Sequence, residues 1–440
     1  MSTTAAITVA LLFAVSALRI AEAAECHGAP SPDAKPNTNP IQTAPPVFVR
    51  SVENGKLYTV GDADDKVPVV HVWGTPYQMG YAQGQLLSTE AQGLINDVWT
   101  YMEEQVEAAI NGSVTIFPEW FLLDVANLGL DAALDLEILA TEAFTGTYFL
   151  DEIKGLADAT GLDYKKIQRI HMIGELTKGS CSMFGANASA TPTGGLLQLR
   201  ALDWDVDGPF RNYPQITVYH PDEGNGHAFV NLGWTGWIGS ISGMSSVQTA
   251  ISEIGVSFPD DTFGKESRFG TPFTYLLRDI LQFDETLFDA MNRISTARRT
   301  CDLILGVGDG KIGEFRGVEY SAAVADFITP TTLRPVADWH PPIQDIVYWG
   351  MDWLCPGYSS VLARQLNAYH GNITAENTIQ NILAIVQTGD LHIAIYDLSN
   401  NLLYVSNAQS DGETGAKYAY DRAYIKLDMA TIFAESPPTQ

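Results

Sequence analysis

At residue 181 the hydrophobic pattern of this 440-residue chain changes its period, and that change limits what the chain can fold into. From Pro76 to about Ile110, Met79, Ala82, Leu86, Leu87, Leu94, Ile95 and Val98 fall near helical spacing. Helical patterns recur over 118–143 and 148–178, the last broken at Thr160-Gly161. Beyond Cys181 the period shortens. Gly194-Gly195 between Phe184 and Leu196–Leu199 reads as a hairpin, and strands are expected over 215–219, 227–232, 247–251, 302–307, 312–320, 345–349, 392–397 and 402–406. Gly308-Asp309-Gly310 is a turn between two of them and not a phosphate loop, because no Lys-Ser/Thr and no helix follows. Helices return over 271–297 and 357–388. Helices first, then a strand-rich half with interspersed helices, define an α+β fold or a layered α/β sandwich.

With 46% hydrophobic and 10% aromatic residues the chain can bury a large core. Its 25 Lys+Arg stand against 52 Asp+Glu, a net charge of −27. That balance excludes a duplex nucleic-acid partner, whose phosphates need clustered cations, and docking on anionic membranes through a basic patch. The apolar run Ala5–Leu18 is too short to span a bilayer, which takes about 20 residues. Ala21-Glu22-Ala23 follows it as a small-x-small cleavage signature, so residues 1–23 are expected to be a signal peptide. Its loss removes Arg19 with Glu22 and leaves the charge at −27. No later apolar run approaches membrane length. The expectation is a protein of the secretory pathway, secreted or lysosomal, and a pI near 4.5 suits an acidic compartment. Residues 24–67 are expected to be a leader, exposed over the Pro-rich part 27–46. Three sequons, at Asn111, Asn187 and Asn372, are candidate glycosylation sites.

Four cysteines, Cys26, Cys181, Cys301 and Cys355, are too few for a disulfide scaffold. No CxxC, HExxH or Cys/His cluster points to a metal. Cys301 and Cys355, both in the strand-rich half, are the expected disulfide, which leaves Cys26 odd and Cys181 as a working thiol.

In Gly179-Ser180-Cys181-Ser182-Met183-Phe184 that thiol follows a small, flexible dipeptide where helix gives way to strand. Arg200 and Asp203 follow in Leu199-Arg200-Ala201-Leu202-Asp203-Trp204, and two such charges at the end of an apolar strand are costly unless compensated. A reactive thiol needs a nearby positive charge and a base. Were Cys181 to become an N-terminus, its own α-amine would be that base, Asp203 would orient the amine, and Arg200 would meet the substrate or the developing charge.

Cys181-Ser182-Met183-Phe184 followed by Arg200-x-x-Asp203-Trp204 resembles the nucleophile strand of the N-terminal-nucleophile (Ntn) hydrolases. Within them it is similar to the group of acid ceramidase, N-acylethanolamine acid amidase, bile-salt hydrolase and penicillin acyltransferase. Gly74–Gly84 (GTPYQMGYAQG) resembles the opening helix of the acyltransferase branch. Trp339-His340-Pro341 and Tyr348–Trp353 (YWGMDW) look closest to acid-ceramidase-like secreted members. The resemblance spans roughly 68–410. It implies a four-layer αββα sandwich and self-cleavage between Ser180 and Cys181. The segment 68–180 would then belong to a small chain and 181–440 would be a large one, the two remaining associated as one domain. It further implies a cysteine amidase that hydrolyses N-acyl compounds, lipid amides such as ceramides or N-acylethanolamines, through an acyl-thioester and without a cofactor. An activator or a membrane-lipid surface is a possible partner. Ser245 stands where the group's oxyanion Asn commonly follows Met, Ala201 stands for the Asn after the Arg, and a second Asn corresponds to Asp338 or His340.

Other readings compete. An acyltransferase or phospholipase-like esterase would use the same scaffold with an amine or alcohol in place of water. A catalytically inactive secreted relative would bind lipid with Cys181 uncut. Asp203-Trp204-Asp205-Val206-Asp207-Gly208 imitates the start of a calcium loop, but Pro214 stands where its Glu should be. Gly239-Ser240-Ile241-Ser242-Gly243 misses a nucleophile elbow at Ile241. Trp234, Trp237, Trp339, Trp349 and Trp353 are candidates for an acyl-binding cleft, some of them core instead.

Overall fold

The computed structural model describes residues 26, 28–113, 116–177, 179–259, 261–410 and 415–439; the expected signal peptide lies outside them. Its strands are β1 (Val47–Val52), β2 (Gly55–Val60), β3 (Val67–Gly74), β4 (Ser180–Ala186), β5 (Leu197–Asp203), β6 (Pro214–Pro221), β7 (Phe229–Trp234), β8 (Gly243–Ser245), β9 (Thr249–Gly255), β10 (Leu303–Asp309), β11 (Glu314–Tyr320), β12 (Ala325–Ile328), β13 (Ile346–Met351), β14 (His392–Asp397) and β15 (Leu402–Asn407). Ten of them form one sheet in the order β1-β2-β3-β6-β7-β8-β9-β10-β11-β12. The second sheet runs β13-β4-β5-β14-β15 and ends on the strand Ile425–Asp428. Within the large sheet β3 and β6 are parallel, a pairing that the long connection between them permits.

The sheets pack face to face through β4, β5, β9, β10, β11 and β13. Glycines on these strands make room for large side chains from the facing sheet. A Cβ on Gly185 would lie 2.1 Å from the Phe315 ring, and one on Gly317 would lie 2.4 Å from Trp349. Helices cover both outer faces. On the large sheet lie α1 (Pro76–Leu86), α2 (Ser88–Ile110), α3 (Glu119–Leu128), α4 (Leu130–Glu142), α5 (Thr147–Thr160), α6 (Tyr164–Ile170) and α7 (Ile173–Leu176), directly or through one another. The same face carries α8 (Phe273–Phe283) and α9 (Leu287–Thr296). On the small sheet lie α10 (Pro356–Ala368) and a helix over 375–386 whose middle, Thr378–Leu383, is π-helical. The expected four-layer αββα arrangement is therefore the architecture of the molecule, and among the described residues no helix is long and apolar enough to cross a membrane.

Local chemistry explains the boundaries. Thr75 and Gln78 close a capping box around Pro76, which starts α1. The helix expected over 76–110 is two helices, because Leu87 takes φ −137° and breaks the run. Helices α1 and α5 touch backbone to backbone: a Cβ at Gly80 would meet the Glu152 carbonyl at 2.0 Å, and one at Gly155 the Tyr77 carbonyl at 2.1 Å. Beneath them Arg278 of α8 pairs with Glu152 of α5 at 2.5 Å, each only 1% exposed. The guanidinium lies against the rings of Tyr219, Phe149 and Phe229.

Two expectations need correction. The stretch read as a leader over 24–67 ends in sheet: β1 and β2 pair across a Glu53-Asn54 turn and extend the sheet from β3. Its earlier part is mostly exposed but pinned, with the buried amide of Asn37 donating to the carbonyls of Tyr420 at 2.9 Å and Arg422 at 2.8 Å. The disulfide joins Cys26 to Cys355 and not Cys301 to Cys355, because the leader folds back to bring Cα atoms 5.1 Å apart. Cys301 is a buried thiol whose sulfur the Thr300 hydroxyl approaches at 3.8 Å.

Candidate active site

The hairpin of β4 and β5 places the candidate residues by register alone. Ser180 pairs with Asp203, Cys181 with Leu202, and Met183 with Arg200. Because side chains alternate along a strand, Cys181 and Arg200 share the face between the sheets, while Ser182 and Asp203 point to the opposite face. Ser180 is exposed and Cys181 is 1% exposed, so the Ser180–Cys181 peptide bond crosses from surface to core.

Burial drives the Cys181 thiol far above its ordinary range; Arg200 opposes this, while Glu253 and Asp203 add to it. The backbone N–H of Asp203 donates to the sulfur. Arg200, wholly buried, donates from Nη2 to Glu253 Oε1 on β9 at 2.5 Å, and its Nε and Nη1 have no partner among the described residues. Asp203 is held by three donors: Thr388 Oγ1 to Oδ2 at 2.6 Å, and the N–H groups of Gly389 and Asp390 to Oδ1 at 2.8 and 3.2 Å. Burial nonetheless holds its carboxyl well above the usual range, and the charge of Asp390 adds to that. Thr388 Oγ1 also lies 2.7 Å from Ser182 Oγ, so with its proton given to Asp203 it accepts from Ser182. Ser182 Oγ in turn accepts from the N–H of Met351, a residue at φ +68° opposite Cys181.

An apolar cavity of about 70 Å³ lies beside this group, lined by Gly179, Leu202, Trp204, Trp234, Trp237 and Glu253 among others. Trp234 and Trp237 thus meet the expectation of a cleft wall. Trp349 is core and donates to the Arg334 carbonyl, and Trp353 packs on Phe258 and Phe263.

Cys181, Arg200 and Asp203 come together; Ser245 does not join them. It ends β8, beside the start of β9 and away from Glu253, its hydroxyl 2.6 Å from that of Thr249. Ala201 is buried on β5. His340 is buried with its ring nitrogens facing the carbonyls of Pro335 and Tyr348, to one of which its neutral ring donates, and Asp338 is exposed. Of the sequons, Asn111 and Asn372 are exposed, whereas Asn187 is half-buried and donates to the Gly313 carbonyl at 2.6 Å. Among the described residues no His, Cys, Asp or Glu cluster could hold a metal. Glu253, Thr388 and Asp390 were not expected. Glu253 carries a signal, a lone acid inside the apolar strand Thr249–Gly255, whereas Thr388 and Asp390 lie in a loop with none.

The chain is 37% identical over 412 residues to protein dcd1B of Dictyostelium discoideum, covering 91% of this chain and 81% of that one. It is 36% identical over 414 residues to protein dcd1A of the same organism, covering 90% and 92%. No protein-family profile matches it. Among solved structures it aligns with a Caenorhabditis elegans N-acylethanolamine-hydrolyzing acid amidase ortholog at TM-score 0.40 and 13% identity, over 56% of this chain and 100% of that one. It aligns with penicillin V acylase from Agrobacterium tumefaciens at TM-score 0.37 and 11% identity, over 57% and 86%.

Proposed function

The chain belongs to the family of the Dictyostelium discoideum proteins dcd1A and dcd1B, and for this member of it we propose a self-processing cysteine amidase. The observation that carries the reading is the register of β4 and β5, which puts Arg200 on the face of Cys181 and Asp203 opposite Ser180, where an exposed residue precedes a buried thiol. Self-cleavage begins when the sulfur of Cys181 adds to the Ser180 carbonyl carbon. The carbon–nitrogen bond breaks, the nitrogen takes up the proton, and water then hydrolyses the thioester to leave Ser180 as a carboxylate. Cys181 is left with a free α-amine as its base, oriented by Asp203. The same thiol then attacks the amide carbonyl of a substrate and passes its acyl group to water, while the spare donors of Arg200 meet the developing negative charge.

The apolar, tryptophan-walled cavity favours an acyl group over a polar one, and lipid amides are the proposed substrates. A secretory or lysosomal location, with glycans on the exposed Asn111 and Asn372, completes the proposal. The test is intact mass and N-terminal sequencing after incubation of the secreted protein near pH 5. A second chain beginning Cys181-Ser182-Met183-Phe184, absent from Cys181→Ala, supports it; a single uncut chain at every pH overturns it.

A further inference from the structure

The end of β5 and the loop before β14 hold one another reciprocally. The loop gives the Thr388 hydroxyl and two consecutive N–H groups, of Gly389 and Asp390, to the carboxylate of Asp203. The strand end returns the N–H of Trp204 to Asp390 Oδ1 at 2.9 Å. The loop can adopt this shape because Gly389 takes φ +83°, where a Cβ would also lie 2.3 Å from Ile393. A carboxylate facing successive backbone N–H groups is a fixed dipole arrangement that sets both its position and its charge. An acidic residue at the second of those N–H groups is unexpected, because it brings a like charge to the anion being held.

We propose that Asp390 is a positioning residue for Asp203, and that its carboxylate, acting against the hydroxyl of Thr388, governs the pH at which the Ser180–Cys181 bond is cut. The inference rests on the self-cleavage reading above. In the cut, a protonated Asp203 gives its proton to the departing nitrogen of Cys181 as the carbon–nitrogen bond breaks. The thiol proton, passed to the carbonyl oxygen as the sulfur–carbon bond forms, reaches the Asp203 carboxylate when the thioester carbonyl re-forms, so no net proton is consumed. The cut therefore slows as pH rises and Asp203 ionises. A negative Asp390 delays that ionisation and the Thr388 donor promotes it. The other groups facing the pair are Cys181 on β4, Asp205 just past β5, Tyr358 on α10 and Tyr420 in the 419–421 turn. Burial raises Asp390 itself to about 7, which puts the response in the range between neutral and acidic compartments.

The two side chains make opposite demands, and the experiment uses that. Full-length chain is purified at pH 7.5 and shifted to a series of pH values, and the rate of appearance of the chain beginning at Cys181 is followed by mass spectrometry. Asp390→Asn keeps an acceptor for Trp204 but removes the charge, and is expected to move the falling limb of the profile about one unit toward acid. Thr388→Val removes the donor to Asp203 and is expected to move it toward alkaline pH. A merely structural role for either residue would lower the rate at all pH values without moving the limb. Should Asp390→Asn fail to fold by circular dichroism, the upward shift in Thr388→Val decides alone. A wild-type chain that cuts while folded variants keep its profile overturns this inference only. A wild-type chain that stays whole at every pH overturns the self-cleavage reading and this inference with it.

Discussion

Among the described residues two arginine–glutamate pairs have both partners buried, each with its closest contact at 2.5 Å, and they are built differently. Arg278 and Glu152, both 1% exposed, join α8 to α5. Arg278 also donates to the Ile238 carbonyl at 3.0 Å and rests on three aromatic rings. Arg200 has Glu253 and two unpartnered nitrogens on the face it shares with Cys181. A buried guanidinium that is caged and left with a single unpartnered nitrogen among the described residues, as Arg278 is at Nε, is a brace between elements. One that keeps spare donors beside a thiol is ready for a charge that appears only during reaction. Burial and ion pairing alone do not separate the two roles; the number of donors left over does.

The comparison can be broken most decisively at the thiol. Cys181→Ala should abolish both the appearance of a second chain and all amide hydrolysis while the urea midpoint stays near wild type; hydrolysis that survives would leave Arg200 with nothing to serve. Next in size, Glu152→Gln strands the Arg278 charge and should lower unfolding free energy by about 3–5 kcal/mol, read by urea titration. Arg200→Lys should lower kcat/KM for an N-acyl substrate by about a hundredfold, the scale of losing one charge-stabilising donor, with a smaller stability loss than at Glu152. Glu253→Gln should make Cys181 more reactive, since that carboxylate holds the thiol up: iodoacetamide labelling at fixed pH should speed several-fold, and an unchanged rate would detach Glu253 from the site.

The smallest effect is in pH dependence. Burial raises Glu175 to about 7, so the stability it contributes is complete below pH 4.5 and is lost as pH rises through 7. Burial lowers His171 to about 4, so its contribution runs the other way and is lost as pH falls below 6.5. Glu175→Gln should shrink the loss on the alkaline side and leave the acid-side loss unchanged in a plot of urea midpoint against pH.

The hairpin of β4 and β5 was legible because charge inside an apolar strand is anomalous on sight. Cys181, Arg200 and Asp203 are close in sequence, and a hairpin alone brings them together. Both outer helical layers and most strands followed from period as well. Edge strand β1 and its neighbours β2 and β3 were not among the expected strands, because a Pro-rich approach masked the hairpin that begins them. Ser245 stands apart from the site because a motif match fixes order along a chain, not position along a strand. The clasp on Asp203 spans 185 to 187 residues, and nothing in Thr388-Gly389-Asp390 marks it as more than a turn. The disulfide closes a separation of 329 residues, beyond any local signal.

That disulfide has a consequence for how a cut molecule behaves on dilution. Cys26 lies on one side of the Ser180–Cys181 bond and Cys355 on the other, so hydrolysis there makes two chains but not two independent molecules. Reassembly of the halves stays a first-order event, with an effective concentration fixed by the tether and not by how much protein is present. A molecule cut at that bond without such a tether would lose its small chain by mass action on dilution; with it, the two halves would stay at one to one however dilute the protein became.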